Sequence, residues 1–201
     1  MTKKFKWLSA EGDWWLNAYA WPQKEGPTLT PSPWGRYTYS FREAAESLVA
    51  RVLNREPGTI DLLLFPILYL YRHYVELATK TYTQELNQLL GRDHKITHKH
   101  GLGRWKTMFK LVGELISADP PRFEDADIMV DELIQVDPDS LAFRYPELKD
   151  GSPSAPDLEY VNIRRLAEGM AHVYEAIGWI EGVIAHEEEL QQAAVDYSSD
   201  Y

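Results

Sequence analysis

The chain has 201 residues, no cysteine and a formal net charge of −10. That length suffices for one domain burying roughly 70% of its unfolded surface, and the missing thiols exclude disulfides, thiolate zinc sites and cysteine nucleophiles. The acidic balance argues against a general nucleic-acid coat protein, because phosphate binding needs clustered cations.

Residues 1–39 hold five of the seven tryptophans (Trp7, Trp14, Trp15, Trp21 and Trp34) among Pro22, Pro27, Pro31 and Pro33. Prolines at this density break a helical period, while disordered tails are poor in aromatic residues. The segment therefore reads as an irregular arm that packs on the domain or on a second subunit. Its basic first residues lead into no apolar run, so a cleavable signal peptide is not expected.

Residues 40–190 carry the helical pattern. Ser40 and Glu43 have the spacing of a capping box, which predicts a helix from Ser40 with Phe41, Ala44, Ala45, Leu48, Val49, Val52 and Leu53 on one face. Pro57-Gly58 ends it. A long helix is expected from Thr59 to Leu90, kinked or restarted at Pro66, with Gly91 as its C-cap. Its apolar stretch, Ile60 to Tyr71, is too short to span a bilayer and carries Asp61 and Pro66. A cytoplasmic protein without membrane insertion is the expectation.

Residues 92–101 are loop-like. Trp105, Met108, Phe109, Val112, Leu115 and Ile116 then mark an amphipathic helix closed by Asp119-Pro120-Pro121. A shorter helix over 122–136 turns Phe123, Ala126, Val130 and Leu133 inward. Residues 137–157 form a long structured loop, a type of segment that often carries function. The last helix is expected from Asp157 or Leu158, with Ile163, Leu166, Met170, Val173, Ile177, Ile180 and Ile184 as a seam for close pairing inside a bundle or across a dimer. Gly178 and Gly182 are expected to admit a neighbouring backbone. Residues 191–201 read as a polar, frayed tail. Five helices with short joins and no strand pattern make an all-α helical bundle.

Charge is unevenly spread. Residues 92–110 hold Arg92, Lys95, Lys99, Arg104, Lys106 and Lys110 against Asp93 alone, net +5, leaving −15 for the remainder. His94, His98 and His100 fall in the same window. Such an island attracts an anion locally while the rest of the molecule repels it, although a solvated loop and helix start would look the same. The histidine spacing is compatible with imidazole ligation, but Asp93 is the sole nearby acid and no Glu precedes a His by three. No metal or cofactor is therefore expected. Gly101-Leu102-Gly103 lacks a preceding strand and the Lys-Ser/Thr of a phosphate loop.

Two further groups stand out. Arg72, Glu76 and Lys80 are four apart on the long helix with His73 beside them, either a solvated ion-pair ladder or a charged face lining the bundle interior. Arg144, in Phe143-Arg144-Tyr145-Pro146, offers a planar fork beside a stacking surface, or else anchors its loop through backbone carbonyls.

In order along the chain, Arg72-His73-x-x-Glu76-Leu77-x-x-Lys80, then His100-Gly101-Leu102 with Trp105, then Phe143-Arg144-Tyr145-Pro146 before a final amphipathic helix, resemble the HEPN superfamily, the higher eukaryote and prokaryote nucleotide-binding helical domains. The resemblance covers roughly residues 41–185. It implies a HEPN-like bundle that dimerises and serves in a defence or toxin–antitoxin system, with RNA, a nucleotide or a protein as partner. Many members are metal-independent endoribonucleases with an Arg-x(4–6)-His motif, in which His moves protons at the ribose 2′-hydroxyl and Arg stabilises phosphorane charge. Carried onto this chain, Arg144 and Arg72 would hold phosphate, His100 or His98 would donate the proton, and Glu76 would orient a cation. His73, Lys80, Arg92 and Tyr145 would line the substrate. No His follows Arg144 within six residues, whereas Arg92 and His98 satisfy the count in the earlier loop. A non-catalytic interaction module and a nucleotide or anion sensor are the alternatives.

Overall fold

The computed structural model describes residues 33–92, 101–156 and 158–199. These form an all-helical bundle: α1 (Pro33–Leu53), α2 (Thr59–Leu89), α3 (Arg104–Ile116), α4 (Glu124–Val136) and α5 (Ile163–Ser199). Among the described residues there is no strand, only an isolated bridge between Glu147 and Pro153. No described helix is long and apolar enough to cross a membrane.

α2 is the axle of the bundle. Its first half is largely apolar, and it packs against α1, α3 and α5, while α4 packs on α5. Tyr71, Val75, Ala78 and Leu86 of α2 are fully buried with Ala45 of α1, Met108 and Val112 of α3, and Met170, Val173 and Ile180 of α5. The α5 seam is as expected: all seven residues from Ile163 to Ile184 at alternating three- and four-residue spacings are at most 6% exposed. Pro66 is accommodated within a continuous α2.

The ends of the helices show where local signals competed. α1 starts at Pro33, seven residues before Ser40. Proline is favoured at a first helical position because its missing N–H has no partner to lose there. Ser40 lies inside the helix, its hydroxyl donating to the Tyr37 carbonyl at 2.8 Å. Gly91, at φ 69°, closes α2 as expected; the amides of Arg92 and Gly91 donate to the carbonyls of Asn87 and Gln88, the paired bonds of a Schellman ending. α5 starts at Ile163, later than the expected 157–158, because Asn162 supplies the cap: its Oδ1 accepts from the amides of Arg164 at 3.0 Å and Arg165 at 3.2 Å. At the far end α5 continues to Ser199 through the stretch expected to fray, with Gln191 Nε2 donating to the Leu89 carbonyl at 3.1 Å.

Gly178 and Gly182 face open space, with no atom within 4 Å of where a Cβ would stand. They lie off the buried seam, and among the described residues no backbone approaches them. The close approach is at Gly169 instead, where a Cβ would sit 2.6 Å from the Met129 sulfur of α4.

Candidate functional site

Arg72 is 1% exposed, as is Glu76. Its Nη1 donates to Glu76 Oε2 at 3.0 Å, and its Nε lies 3.0 Å from both the carbonyl and the Oδ2 of Asp137. Lys80 Nζ reaches the other Glu76 oxygen at 2.6 Å. Asp137, 2% exposed, accepts through Oδ1 from the amides of Leu141 at 2.7 Å and Ala142 at 2.9 Å. Two cations and two carboxylates thus balance in the interior, with each carboxylate oxygen engaged. Burying charge is affordable only with such pairing. The arrangement is the interior alternative to a solvated ladder, and it clamps the start of the 137–162 loop onto α2.

His73 stacks on Tyr69 at 5.6 Å between ring centroids and meets the edge of Phe41 at 4.3 Å. Arg144 is exposed; its Nε donates to the Ser140 carbonyl at 2.5 Å, and its guanidinium lies 5.8 Å from the Tyr145 ring. Arg92 pairs with Glu114 of α3 at 2.8 Å. His98 and His100 lie outside the described residues, as do His94 and Asp93. Among the described residues no group of three or more His, Asp or Glu side chains is placed to hold a metal ion.

The junction of α1, α2 and α5 holds a polar cluster that the sequence reading passed over. Glu46 Oε1 accepts from the hydroxyls of Tyr71 at 3.0 Å and Tyr174 at 2.7 Å, and the Arg42 guanidinium lies 4.1 Å from the Tyr174 ring centroid. Burial, together with the Glu46 carboxylate, pushes the Tyr71 and Tyr174 phenols far above their ordinary range. Further along, Tyr82 donates to Glu181. Glu85 is pushed up to about 7, first by burial and then by the carboxylates of Glu188 and Glu181.

A different surface carries the basic segment. α3 presents Lys106 and Lys110 four residues apart, with Phe109 beside them. The chain leaves α3 at Ser117 in the left-handed conformation, with the Ala118 amide bonded back to the Gly113 carbonyl at 3.2 Å. Gly113 lets the turn come close: a Cβ there would meet the Ala118 oxygen at 3.1 Å, a tight contact. This tight turn brings Pro120, Pro121, Arg122 and Phe123 back over α3, and the cleft between them measures 250 Å³. Lys106, Lys110 and Arg122 line it against Asp127, whose Oδ1 is held by Trp105 Nε1 at 2.6 Å. Lys106 and Lys110 have exposed partners, Asp131 at 3.1 Å and Glu114 at 4.0 Å; Arg122 makes no ion pair among the described residues. Phe109 and Phe123, 5.8 Å apart, form the apolar floor, backed by Trp105 and Trp179.

The signal for this cleft was present in the sequence as a Lys-x-x-Phe-Lys run followed by Pro-Pro-Arg-Phe. Its two halves, ending at Lys110 and resuming at Pro120, are ten positions apart, and the turn at Ser117 brings them together. Comparison with protein-family models, characterised proteins and solved structures yields no match to this chain.

Proposed function

We propose that this chain is a HEPN-like helical protein that binds nucleotide phosphate, as RNA or as free nucleotide, in the cleft between α3 and the 117–123 turn. The observation that carries this reading is the grouping of Lys106, Lys110 and Arg122 around the rings of Phe109 and Phe123. Cations alone attract any anion; an aromatic floor adds a stacking face worth about 1–3 kcal/mol per base. The acidic remainder of the molecule confines a polyanion to this one face. RNA cleavage, where present, would need an imidazole beside a guanidinium at the ribose 2′-hydroxyl, and His98 and His100 stand in the segment leading directly into α3. Service in a cytoplasmic defence or toxin–antitoxin system accompanies that reading.

The test is binding of a labelled single-stranded RNA and of nucleotides to purified protein across a salt series. Three engaged cations give a slope of log K against log salt of about −2 for a single strand, and Arg122→Ala weakens binding and flattens the slope. Absence of binding at low salt refutes the proposal. Incubation of the RNA with a chelator present reads out metal-independent cleavage.

A second reading, a non-catalytic module that pairs with another copy of itself, draws on Leu62 and Phe65. They stand three apart near the start of α2, 77% and 47% exposed. Concentration-dependent mass by light scattering, abolished by Leu62→Lys, would support it; a monomer at all concentrations would exclude it.

A further inference from the structure

The α3 cleft does not end at Phe109. A shallower hollow of 530 Å³ continues from it, sharing Phe109, Lys110 and Pro120. Across that shared floor the lining turns more acidic, for Glu114 and Asp119 join Lys110 there. Glu114 already faces Arg92 at 2.8 Å and Lys110 at 4.0 Å. Asp119 makes no hydrogen bond or ion pair among the described residues. It is exposed and lies on the rim of the hollow, next to Pro120 of the shared floor.

This polarity selects among ligands. A strand running through both hollows would carry its phosphates past Asp119, which has no cationic partner among the described residues and repels them. A ligand with phosphate at the cationic end and an uncharged, donor-rich edge at the other meets no such penalty. A carboxylate is an acceptor only, so it takes a base edge that presents adjacent N–H donors. Of the four common bases only guanine offers a ring N–H beside an amino group. Adenine and cytosine set the amino group beside an acceptor nitrogen, and uracil sets its N–H between two carbonyls.

We infer that the cleft is specific for a guanine nucleotide, with phosphate among Lys106, Lys110 and Arg122, the base over Phe109, and its N–H edge on Asp119. The inference rests on the reading of this cleft as a nucleotide site, and it names the substrate class. The same chemistry arises from free guanine nucleotide or from a guanosine at the end of an RNA.

Calorimetric titration of the full chain with 5′-GMP, 5′-AMP and inorganic phosphate tests it. GMP should bind about tenfold more tightly than AMP, the discrimination of one good paired hydrogen-bond contact, and phosphate should bind more weakly than either. Asp119→Asn should bring GMP and AMP together, because an amide can serve both edges, whereas Arg122→Ala should weaken both alike and preserve their ratio. Equal affinities for GMP and AMP, or a ratio unmoved by Asp119→Asn, overturn the inference while leaving the nucleotide site standing. Failure of every nucleotide and of RNA to bind removes the site itself. Short RNAs with guanine at one end or only internally identify the source: terminal guanine alone should compete with GMP, and equal competition by both would refute the role of Asp119 as the end of the groove.

Discussion

Replacing Arg72 by Met removes one guanidinium from the most deeply buried polar group in the bundle while roughly preserving side-chain volume. Glu76 keeps Lys80 at 2.6 Å, and Asp137 keeps the amides of Leu141 and Ala142. Two carboxylates then share one cation where two cations had balanced them. Breaking a buried pair in this way costs about 3–5 kcal/mol; the partners that remain place Arg72→Met near the lower figure. For a domain of this size each kcal/mol moves Tm by about 2–4 °C, so a loss of about 10 °C is expected. Because Asp137 pins the start of the 137–162 loop, that loop should also become the first site of limited proteolysis. Urea unfolding of Arg72→Met, Asp137→Asn and the double variant measures the coupling, which should reach about 1–3 kcal/mol for groups in direct contact. A Met variant within 1 kcal/mol of the parent, or strictly additive effects, would refute the assignment of this network as the clamp.

Other consequences follow from neighbouring groups. Glu85 is raised in the folded state from 4.5 to about 7, so its protonation favours folding: that contribution is complete below about pH 4.5 and lost as pH rises through 7. After discounting for partial solvent access the loss is about 2 kcal/mol, and Glu85→Gln should flatten stability across that window and raise it at pH 8, as read by urea midpoints. Gly178→Ala and Gly169→Ala should have opposite signs in thermal melts. The first fills open space and gains about 0.5–1 kcal/mol of helix propensity, whereas the second drives a methyl into Met129 and costs about 1–2 kcal/mol. Trp105→Phe should cost about 1–3 kcal/mol by leaving Asp127 without its indole donor, and indirectly loosen the nucleotide cleft that Asp127 lines, seen as a weaker affinity for 5′-GMP.

How much of this was legible beforehand differs by length scale. The helical class, α2 as a long central helix, the Gly91 ending and the α5 seam were all readable from periodicity and caps, because those signals are local and each repeats or reinforces itself within a few residues. Boundaries with two competing local solutions were misread. Ser40-x-x-Glu43 is a plausible cap, but Pro33 is an equally good first residue, and helical packing of α1 on α2 and α5 extends the longer choice. At α5, Asn162 caps where periodicity alone could not say which turn came first. Burial of the apolar faces was readable, but whether the charged face of α2 was solvated or interior was not. Arg72, Glu76 and Lys80 have the spacing of an ordinary surface ladder, and it is Asp137, sixty-five positions away from Arg72, that completes their charge balance inside the protein. The cleft depends likewise on Arg122 and Phe123 folding back over Lys106 and Phe109 through the turn at Ser117. Spacing along one helix defines a face; which face meets solvent, and which distant side chain arrives to neutralise it, depends on long-range packing.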